Sequence, residues 1–191
     1  FTYNVMILES VFPTYILQDS NIALADALLP LCNKYTALTK DNLLNIDSFP
    51  STLGSNDLNP VVMSDPLVQQ TLSTIITYYA VKLADAAGMN YDQIDFKPYG
   101  FFSSMNKNAY LRRHMHHQCT FSGIIYLEVG DDVPPLVLFN PKSISVFNNE
   151  IQNTYFIEPK VGNIVIWNAW MEHEVPQKLN NNPRKSFSFN I

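Results

Sequence analysis

The four histidines of this chain lie in two short segments, residues 114–117 and residues 171–174. Successive side chains of a β-strand point to opposite faces, so the imidazoles of His114 and His116 would share one face. His173 follows His116 by 57 residues and can supply a third imidazole from a distant strand. Imidazole nitrogens are common ligands of transition metals. The spacing therefore predicts that His114, His116 and His173 bind one metal ion.

A second pair of residues with a defined chemistry, Arg184 and Ser186, begins eleven positions after His173. A guanidinium forms a bidentate, charge-assisted pair with a carboxylate, and a serine hydroxyl adds a further hydrogen bond. Mononuclear ferrous oxygenases hold their metal from one side and leave positions open for a chelating acid and oxygen. The two features together indicate a metal-dependent oxygenase as the candidate. Trp167 and Trp170 are expected to pack the core or to line such a site.

The neighbours of these histidines are weaker candidates for the metal. His117 has the opposite parity on the strand, which predicts a surface or outer position. Gln118 shares the parity of His116 and could act as an oxygen ligand if the strand continues that far. Glu172 and Glu174 would point to the opposite face of their strand from the histidine between them, so neither supplies a carboxylate ligand.

Composition sets the class of protein. The chain has 191 residues, of which 47% are hydrophobic and 13% aromatic, enough for one sizeable core with a β-rich interior. The net charge is -5, which argues against bulk nucleic-acid binding. No apolar stretch approaches the roughly 20 residues of a membrane span, and no secretory signal is expected. The 2 cysteines are too few for a disulfide framework, so a reducing, cytoplasmic compartment is expected.

The first 90 residues have helical patterns. Residues 21–31 repeat apolar side chains at near-helical spacing after a predicted N-cap at Asp19-Ser20, and Pro30 is expected to kink or end that helix. Residues 40–63 look irregular. Asp65 and Pro66 begin a second predicted helix, whose apolar stripe ends near Gly88.

From residue 94 onward, short runs of aromatic and β-branched residues alternate with turn residues, which predicts a sandwich or jelly roll. The predicted fold class is α+β, mainly β, in a single domain of residues 1–191. Residues 1–90 form its helical flank and residues 91–191 its β core. The candidate strands are residues 95–103, 108–117, 120–129, 135–139, 143–147, 154–158, 163–168, 173–177 and 185–190.

Several motifs resemble those of a little-characterised group in the 2-oxoglutarate/Fe(II)-dependent oxygenase superfamily. Residues 110–127 contain His-x-His and then Ser-Gly-x-x-Tyr, while residues 159–167, 173–176 and 184–190 are similar to the closing motifs of that group. Residues 11–14 resemble its opening strand, so the resemblance spans nearly the whole chain. It implies a double-stranded β-helix, which is a distorted jelly roll, with N-terminal flanking helices.

The resemblance also implies roles for individual residues. His114 and His173 match metal ligands, and His116 occupies the position where most of the superfamily has Asp or Glu. Three neutral imidazoles would leave ferrous iron with its full charge of +2, whereas a carboxylate would reduce it to +1. Arg184 and Ser186 match the Arg-x-Ser motif that holds the distal carboxylate of 2-oxoglutarate. The tyrosine of the Ser-Gly-x-x-Tyr motif, Tyr126, is similar to one whose hydroxyl binds that carboxylate.

These implications lead to one function and two alternatives. The leading hypothesis is a dioxygenase that uses Fe(II) and 2-oxoglutarate to hydroxylate a small molecule or a peptide, with succinate as coproduct. A cupin-like dioxygenase with three histidines would need no oxo acid, and it would not require Arg184 and Ser186. The third alternative is a non-enzymatic jelly roll in which a metal joins strands. The sequence predicts neither the prime substrate nor the oligomeric state.

Overall fold

The computed structural model describes residues 14–39, 50–53, 55–90, 96–141 and 153–191. Within these residues, nine strands form two antiparallel sheets, and helices cover one face of the larger sheet. The strands are β1 Ile16–Ser20, β2 Tyr99–Ser104, β3 Leu111–His114, β4 Phe121–Val129, β5 Leu136–Phe139, β6 Thr154–Ile157, β7 Asn163–Asn168, β8 His173–Val175 and β9 Arg184–Asn190. The helices are α1 Ile22–Thr36, α2 Leu58–Ser64, α3 Pro66–Thr74, the π-helix Ile75–Ala80 and α4 Val81–Ala86.

The two sheets enclose the interior between them. The five-stranded sheet has the order β1-β7-β4-β9-β2, and the four-stranded sheet has the order β3-β8-β5-β6. Except for β5 and β6, neighbouring strands of the sheets are not consecutive in sequence, as in a jelly roll. Side chains of both sheets form one buried cluster between them, which we call the inner cluster. It contains Met105, Ala109, Ile124, Tyr126, Leu136, Leu138, Ile157, Val165, Trp167, Met171 and Val175.

The other face of the five-stranded sheet packs against the helices. Along β4, side chains alternate between the inner cluster and this second cluster, which we call the outer core, because successive strand residues face opposite ways. The phenyl rings of Phe187 and Phe189 lie over Gly100 and Gly123, where a Cβ atom would overlap them. Glycine at these two positions therefore lets large aromatic rings lie directly against the backbone of the neighbouring strands. The outer core also contains Leu28, Leu72, Phe102 and Ile125.

Helix α1 begins later and ends later than predicted. Its N-cap is Asn21, whose side chain accepts a hydrogen bond from the backbone N–H of Leu24, and the predicted cap residues 19–20 belong to β1. Pro30 does not end the helix, which continues for six residues to Thr36. The reason is packing: Cys32 and Tyr35 continue the buried face after the proline, and the Tyr35 ring stacks on Phe102 of β2. Burial here outweighs the local penalty of a proline.

The second helical region is partly as predicted. The side chain of Asp65 caps the helix by accepting a hydrogen bond from Leu67, with Pro66 at the first turn, and the helical run ends before Gly88 at a φ of 68°. The expectation that residues 40–63 are irregular is wrong for α2, and residues 40–49 lie outside the described ones. None of the described helices is long and apolar enough to cross a membrane.

Most predicted strands are present with shifted ends. β7 has the predicted bounds, β4 and β9 differ from the prediction by one residue, and the predicted strand 143–147 lies outside the described residues. The strand predicted over residues 108–117 is only β3, because its register with β8 shifts between Leu111 and His114. β1 was missed as a strand, since part of it was interpreted as a helix cap. The predicted class, α+β and mainly β in a jelly-roll arrangement, is confirmed.

Candidate metal centre and anion pocket

Three histidines meet at the edge of the four-stranded sheet. His114 is the last residue of β3 and lies opposite His173, the first residue of β8. His116 lies beyond the end of β3, and its backbone N–H donates to the carbonyl of Ala169, the first residue after β7. The possible ligand atoms of the three rings all lie within 4.8 Å of one another. The histidines predicted from the sequence thus come together, although His116 reaches the cluster from a loop and not by strand parity.

Backbone carbonyls set the orientation of two of these rings. The Nδ1 atom of His114 lies 2.6 Å from the carbonyl oxygen of Arg112, and Nδ1 of His173 lies 3.1 Å from that of Met171. A carbonyl only accepts, so the proton of each neutral ring belongs on Nδ1. The Nε2 atoms then carry free lone pairs. A metal ligand is usually fixed in this way by a partner of its other ring nitrogen.

The spacing of the Nε2 atoms fits a shared metal ion. Nε2 of His116 and Nε2 of His173 are 3.3 Å apart, and their rings are nearly parallel. Two nitrogens bound to one metal at about 2.1 Å and at roughly a right angle lie about 3 Å apart. Burial lowers the pKa of His116 to about 4 and that of His173 to about 3, with a further contribution from His114. Both rings are therefore neutral near pH 7, as metal ligands must be.

Trp167 forms one side of the histidine cluster. Its ring contacts His173 edge-on, with the centroids 5.0 Å apart and the planes at 70°. Trp167 is 3% exposed, and its Nε1–H has no hydrogen-bond partner within the described part of the chain. Trp170, by contrast, is 48% exposed. The expectation that the tryptophans pack the core or line the site thus holds for Trp167 and not for the exposed ring of Trp170.

Arg184 lies in the same interior, on the five-stranded sheet. It is 4% exposed, its Nε donates to the carbonyl of Pro134 at 3.2 Å, and its guanidinium lies 5.4 Å from the centre of the Tyr126 ring. Ser186 is buried on the same strand and pairs with Tyr126 across β4 and β9. The three residues predicted to bind a carboxylate are therefore neighbours.

Two buried polar atoms of this pocket make no hydrogen bond of normal geometry with the residues that the structure describes, namely Nη2 of Arg184 and the hydroxyl of Tyr126. These two side chains interact with each other electrostatically, and no carboxylate of the described residues forms an ion pair with the guanidinium. Burial lowers the pKa of Arg184 and raises that of Tyr126. Buried charges are normally paired, and buried donors are normally bonded. The arrangement is chemically suited to an anion, and we refer to Arg184, Ser186 and Tyr126 as the anion pocket.

The remaining sequence candidates lie away from the histidine cluster. His117 and Gln118 are exposed, and Gln118 has a left-handed backbone with a φ of 68°, so the strand does not continue to it. Glu172 forms an ion pair with Arg113 on the outer surface. Strand alternation predicts this side for Glu172, because adjacent residues of a strand point to opposite faces and Glu172 is next to His173.

One buried cation was missed in the sequence. Lys178 is 1% exposed, and its Nζ donates to the carbonyl of Asn180 at 2.6 Å. Burial lowers its pKa, with a smaller contribution from the charge of Arg184. A lysine between Gln177 and Leu179 carries no signal for burial in a single sequence, since lysines are usually solvated. The burial of Lys178 depends on the folded loop before β9, in which its Nζ bonds the carbonyl of Asn180.

Comparisons with known proteins show which family and which folds the chain resembles. Residues 101–190 match the family described as "Putative 2OG-Fe(II) oxygenase". No curated protein matches the chain. A prolyl-4-hydroxylase from Pseudomonas putida is similar in structure, with a TM-score of 0.62 and 17% identity over 92% of this chain and 86% of its own.

Two further solved structures have the same fold. HygX from Streptomyces hygroscopicus, with nickel and 2-oxoglutarate bound, has a TM-score of 0.60 and 9% identity over 93% of this chain and 83% of its own. A prolyl hydroxylase from Trichoplax adhaerens, in complex with a hypoxia inducible factor peptide fragment, has a TM-score of 0.57 and 12% identity over 92% and 82%. The predicted double-stranded β-helix is thereby confirmed, as is the resemblance to the oxygenase superfamily.

Proposed function

Because residues 101–190 match that oxygenase family, we propose that this protein is a 2-oxoglutarate- and Fe(II)-dependent dioxygenase that hydroxylates an organic substrate. One observation carries the proposal. A cluster of three metal-competent histidines shares one interior with a buried arginine that has no counter-charge among the described residues. Their combination is what a chelating dicarboxylate beside a metal requires.

In this proposal His114, His116 and His173 hold the iron. When bound, iron and 2-oxoglutarate supply an oxidative decarboxylation, in which O2 converts 2-oxoglutarate to succinate and CO2 and places one oxygen atom in a C–H bond of the substrate. The protein contributes ligand geometry through the carbonyls that fix the Nδ1–H groups of His114 and His173. His116 gives the site one more neutral ligand and one less negative charge than the usual carboxylate does.

Arg184 is the proposed anchor for the distal carboxylate of 2-oxoglutarate. Its Nε is occupied by the carbonyl of Pro134, which fixes the guanidinium and leaves Nη2 free to donate. The free hydroxyl of Tyr126 and the buried side chain of Ser186 lie beside it. Binding of a carboxylate would neutralise the buried charge and satisfy these donors, which is why we expect Arg184 to dominate affinity.

The inner cluster supplies the walls of the site. Ile124, Val165 and Leu138 are buried and apolar, and they lie between or beside the residues that bind the two ends of the ligand. Apolar walls exclude water, which would strengthen each charged contact inside and keep solvent away from the reacting groups. The chain's own contribution to catalysis is thus positioning and exclusion of water.

The buried arginine also separates this proposal from the two alternatives. A dioxygenase that uses three histidines without an oxo acid needs no carboxylate anchor, and a metal that merely joins strands needs none either. Neither alternative accounts for a guanidinium that is 4% exposed and has no anionic partner among the described residues. The substrate is proposed only as a peptide or a small molecule, and the Trichoplax adhaerens structure, which is in complex with a peptide fragment, motivates the first of these.

Anaerobic spectroscopy tests the proposal. Ferrous iron and then 2-oxoglutarate are added to the metal-free protein, and the visible charge-transfer absorption of an iron-chelated 2-oxo acid is recorded. We expect this absorption in the parent protein and in His117→Ala, whose histidine lies outside the cluster, but not in His173→Ala. Absence of the absorption in a parent protein that binds iron stoichiometrically would contradict the proposal.

A further inference from the structure

Among the residues that the structure describes, the indole N–H of Trp167 is a third buried side-chain donor without a hydrogen-bond partner, and the sequence motifs assign it no role. The other two such atoms of the described residues are Nη2 of Arg184 and the hydroxyl of Tyr126, both in the anion pocket. Leaving a buried donor unbonded lowers stability, and a phenylalanine could fill most of the same space without that cost. The unbonded donor of Trp167 therefore indicates that a ligand with a hydrogen-bond acceptor binds in this interior.

The position of Trp167 indicates which part of a ligand it would contact. Trp167 pairs with Ser122 across β4 and β7, and Ser122 precedes Tyr126 by four residues on the same face, about 13 Å along the strand. The Trp167 ring lies against His173, whereas Tyr126 lies against Arg184. The unbonded donors thus lie at two ends of one interior, one end at the anion pocket and the other at the histidine cluster.

We propose that Nε1–H of Trp167 donates a hydrogen bond to the 2-oxo-carboxylate end of the cosubstrate beside the histidine cluster, which makes Trp167 a further ligand-binding residue. This inference rests on the proposed function. A carboxylate is a strong acceptor, and the three neutral imidazoles supply no negative charge that would repel it. Trp167 would thereby hold the end of the cosubstrate that Arg184 does not reach.

A purely structural role for Trp167 makes a different prediction. The edge-on contact with His173 could direct the N–H toward that ring, but such a contact is weaker than a bond to oxygen and needs no ligand. In that case the environment of the N–H would stay the same when 2-oxoglutarate binds. The two interpretations can therefore be separated by observing the N–H itself.

The chain has only 2 tryptophans, so protein labelled with 15N in its indole rings gives two N–H signals in a nitrogen–proton correlation spectrum. The diamagnetic ion Zn(II) replaces iron, 2-oxoglutarate is added, and Trp170→Phe assigns the signals. We expect the Trp167 proton to move downfield and to exchange more slowly with solvent. The exposed Trp170 is the internal control and should not move. An unmoved or upfield-shifted Trp167 proton at saturating 2-oxoglutarate would overturn the inference.

Calorimetry with the Zn(II)-loaded protein provides the second measurement. Trp167→Phe keeps an aromatic ring and removes the donor, and we expect about a tenfold loss of 2-oxoglutarate affinity, with Zn(II) affinity and thermal unfolding close to those of Trp170→Phe. Equal 2-oxoglutarate affinity in both variants would contradict the role of Trp167 and leave the proposed function intact. If the parent protein binds Zn(II) but no 2-oxoglutarate, the proposed function and this inference both fail.

Discussion

The two faces of the five-stranded sheet differ in how completely their polar groups are satisfied. The outer core is formed by apolar side chains between the sheet and the helices, and none of its described members has an unbonded buried side-chain donor or acceptor. The inner cluster contains Tyr126 and Trp167 and lies beside Arg184, and these three residues carry all the unbonded buried side-chain atoms of the described residues. Among the described residues, the same strands thus have one face without unbonded buried side-chain polar atoms and one face with them.

This difference separates stability from function. A face without unmet polar groups gains from folding alone, whereas unmet donors lower stability until a ligand binds. Real proteins depart from complete polar satisfaction mainly at functional sites. We therefore expect substitutions on the outer face to change mainly the free energy of unfolding. Substitutions on the inner face should change mainly the affinity for the ligand.

The largest expected effect lies in the outer core, at Phe189. Its ring is 1% exposed and lies over Gly123. Phe189→Ala should lower the free energy of unfolding by about 3–5 kcal/mol because it leaves a cavity among buried groups. Urea unfolding measures this loss. The folded fraction should bind 2-oxoglutarate with an affinity within about twofold of that of the parent. A large change in the affinity of fully folded protein would contradict the independence of the two faces.

The next effect lies in the anion pocket, at Arg184. Arg184→Ala should weaken 2-oxoglutarate binding by about 2–5 kcal/mol, or roughly 30-fold to several thousandfold, because the distal carboxylate loses a buried charge-assisted partner. Stability should stay the same or rise, since a buried unpaired charge is removed.

Calorimetry on the metal-loaded protein checks the affinity. The matched control is Lys185→Ala, because Lys185 faces the other side and bonds Glu128. An unchanged dissociation constant in Arg184→Ala would contradict the anion pocket.

The sequence predicted elements well where local signals and burial agree, as in β7 and in the Asp65-Pro66 helix start. The alternative in which Pro30 ends the helix was wrong, because α1 continues past it and packs on β2, and a single sequence does not contain that contact. The histidine cluster followed from spacing and from the family motifs. The position of His116 beyond β3 did not, because the register shift in that strand depends on its pairing with β8.

The interior contacts were harder to predict than the residue types. Tyr126, Arg184 and Ser186 were named from motifs, but the free hydroxyl and guanidinium nitrogen depend on side-chain placement. Burial of Lys178 and the free N–H of Trp167 have no local signature at all.

A third effect concerns pH. The pKa values of His116 and His173 are about 4 and about 3 in the folded metal-free protein, against an ordinary value of 6.5. Between pH 6.5 and pH 4 the unfolded chain therefore binds more protons than the folded chain does, so stability is full above this window and falls as the pH falls through it.

Urea unfolding in the presence of a chelator, at pH 7 and at pH 5, measures this loss of stability. We expect His173→Asn to reduce the loss. His117→Asn should keep it, because His117 is exposed and lies outside the cluster. An equal loss in all three proteins would show that the cluster is not the cause.

The smallest expected effect lies on the outer surface of the four-stranded sheet. Arg113 and Glu172, the neighbours of His114 and His173, form an ion pair across β3 and β8, and the guanidinium lies 3.9 Å from the centre of the Phe139 ring. Both side chains are well exposed, so the pair should contribute only about 0.2–1 kcal/mol.

A double-mutant cycle with Arg113→Ala and Glu172→Ala, followed by Zn(II) competition, should give at most about a fivefold change in metal affinity. The reversed pair, Arg113→Glu with Glu172→Arg, should restore most of it. A change larger than 100-fold would show that this surface pair, and not the buried faces, controls the site.

The most direct test of the central claim measures succinate and CO2 formed from 2-oxoglutarate by the iron-loaded protein under air and without a prime substrate. Ascorbate is added as the two-electron reductant that converts the second oxygen atom of O2 to water. The account predicts slow, equimolar formation of both products by the parent protein. It predicts only the free-iron background for His173→Ala and for Arg184→Ala at 2-oxoglutarate concentrations near the parent's dissociation constant. A parent protein that binds iron and 2-oxoglutarate but forms no succinate above that background would contradict the assignment of this site as a 2-oxoglutarate-dependent oxygenase.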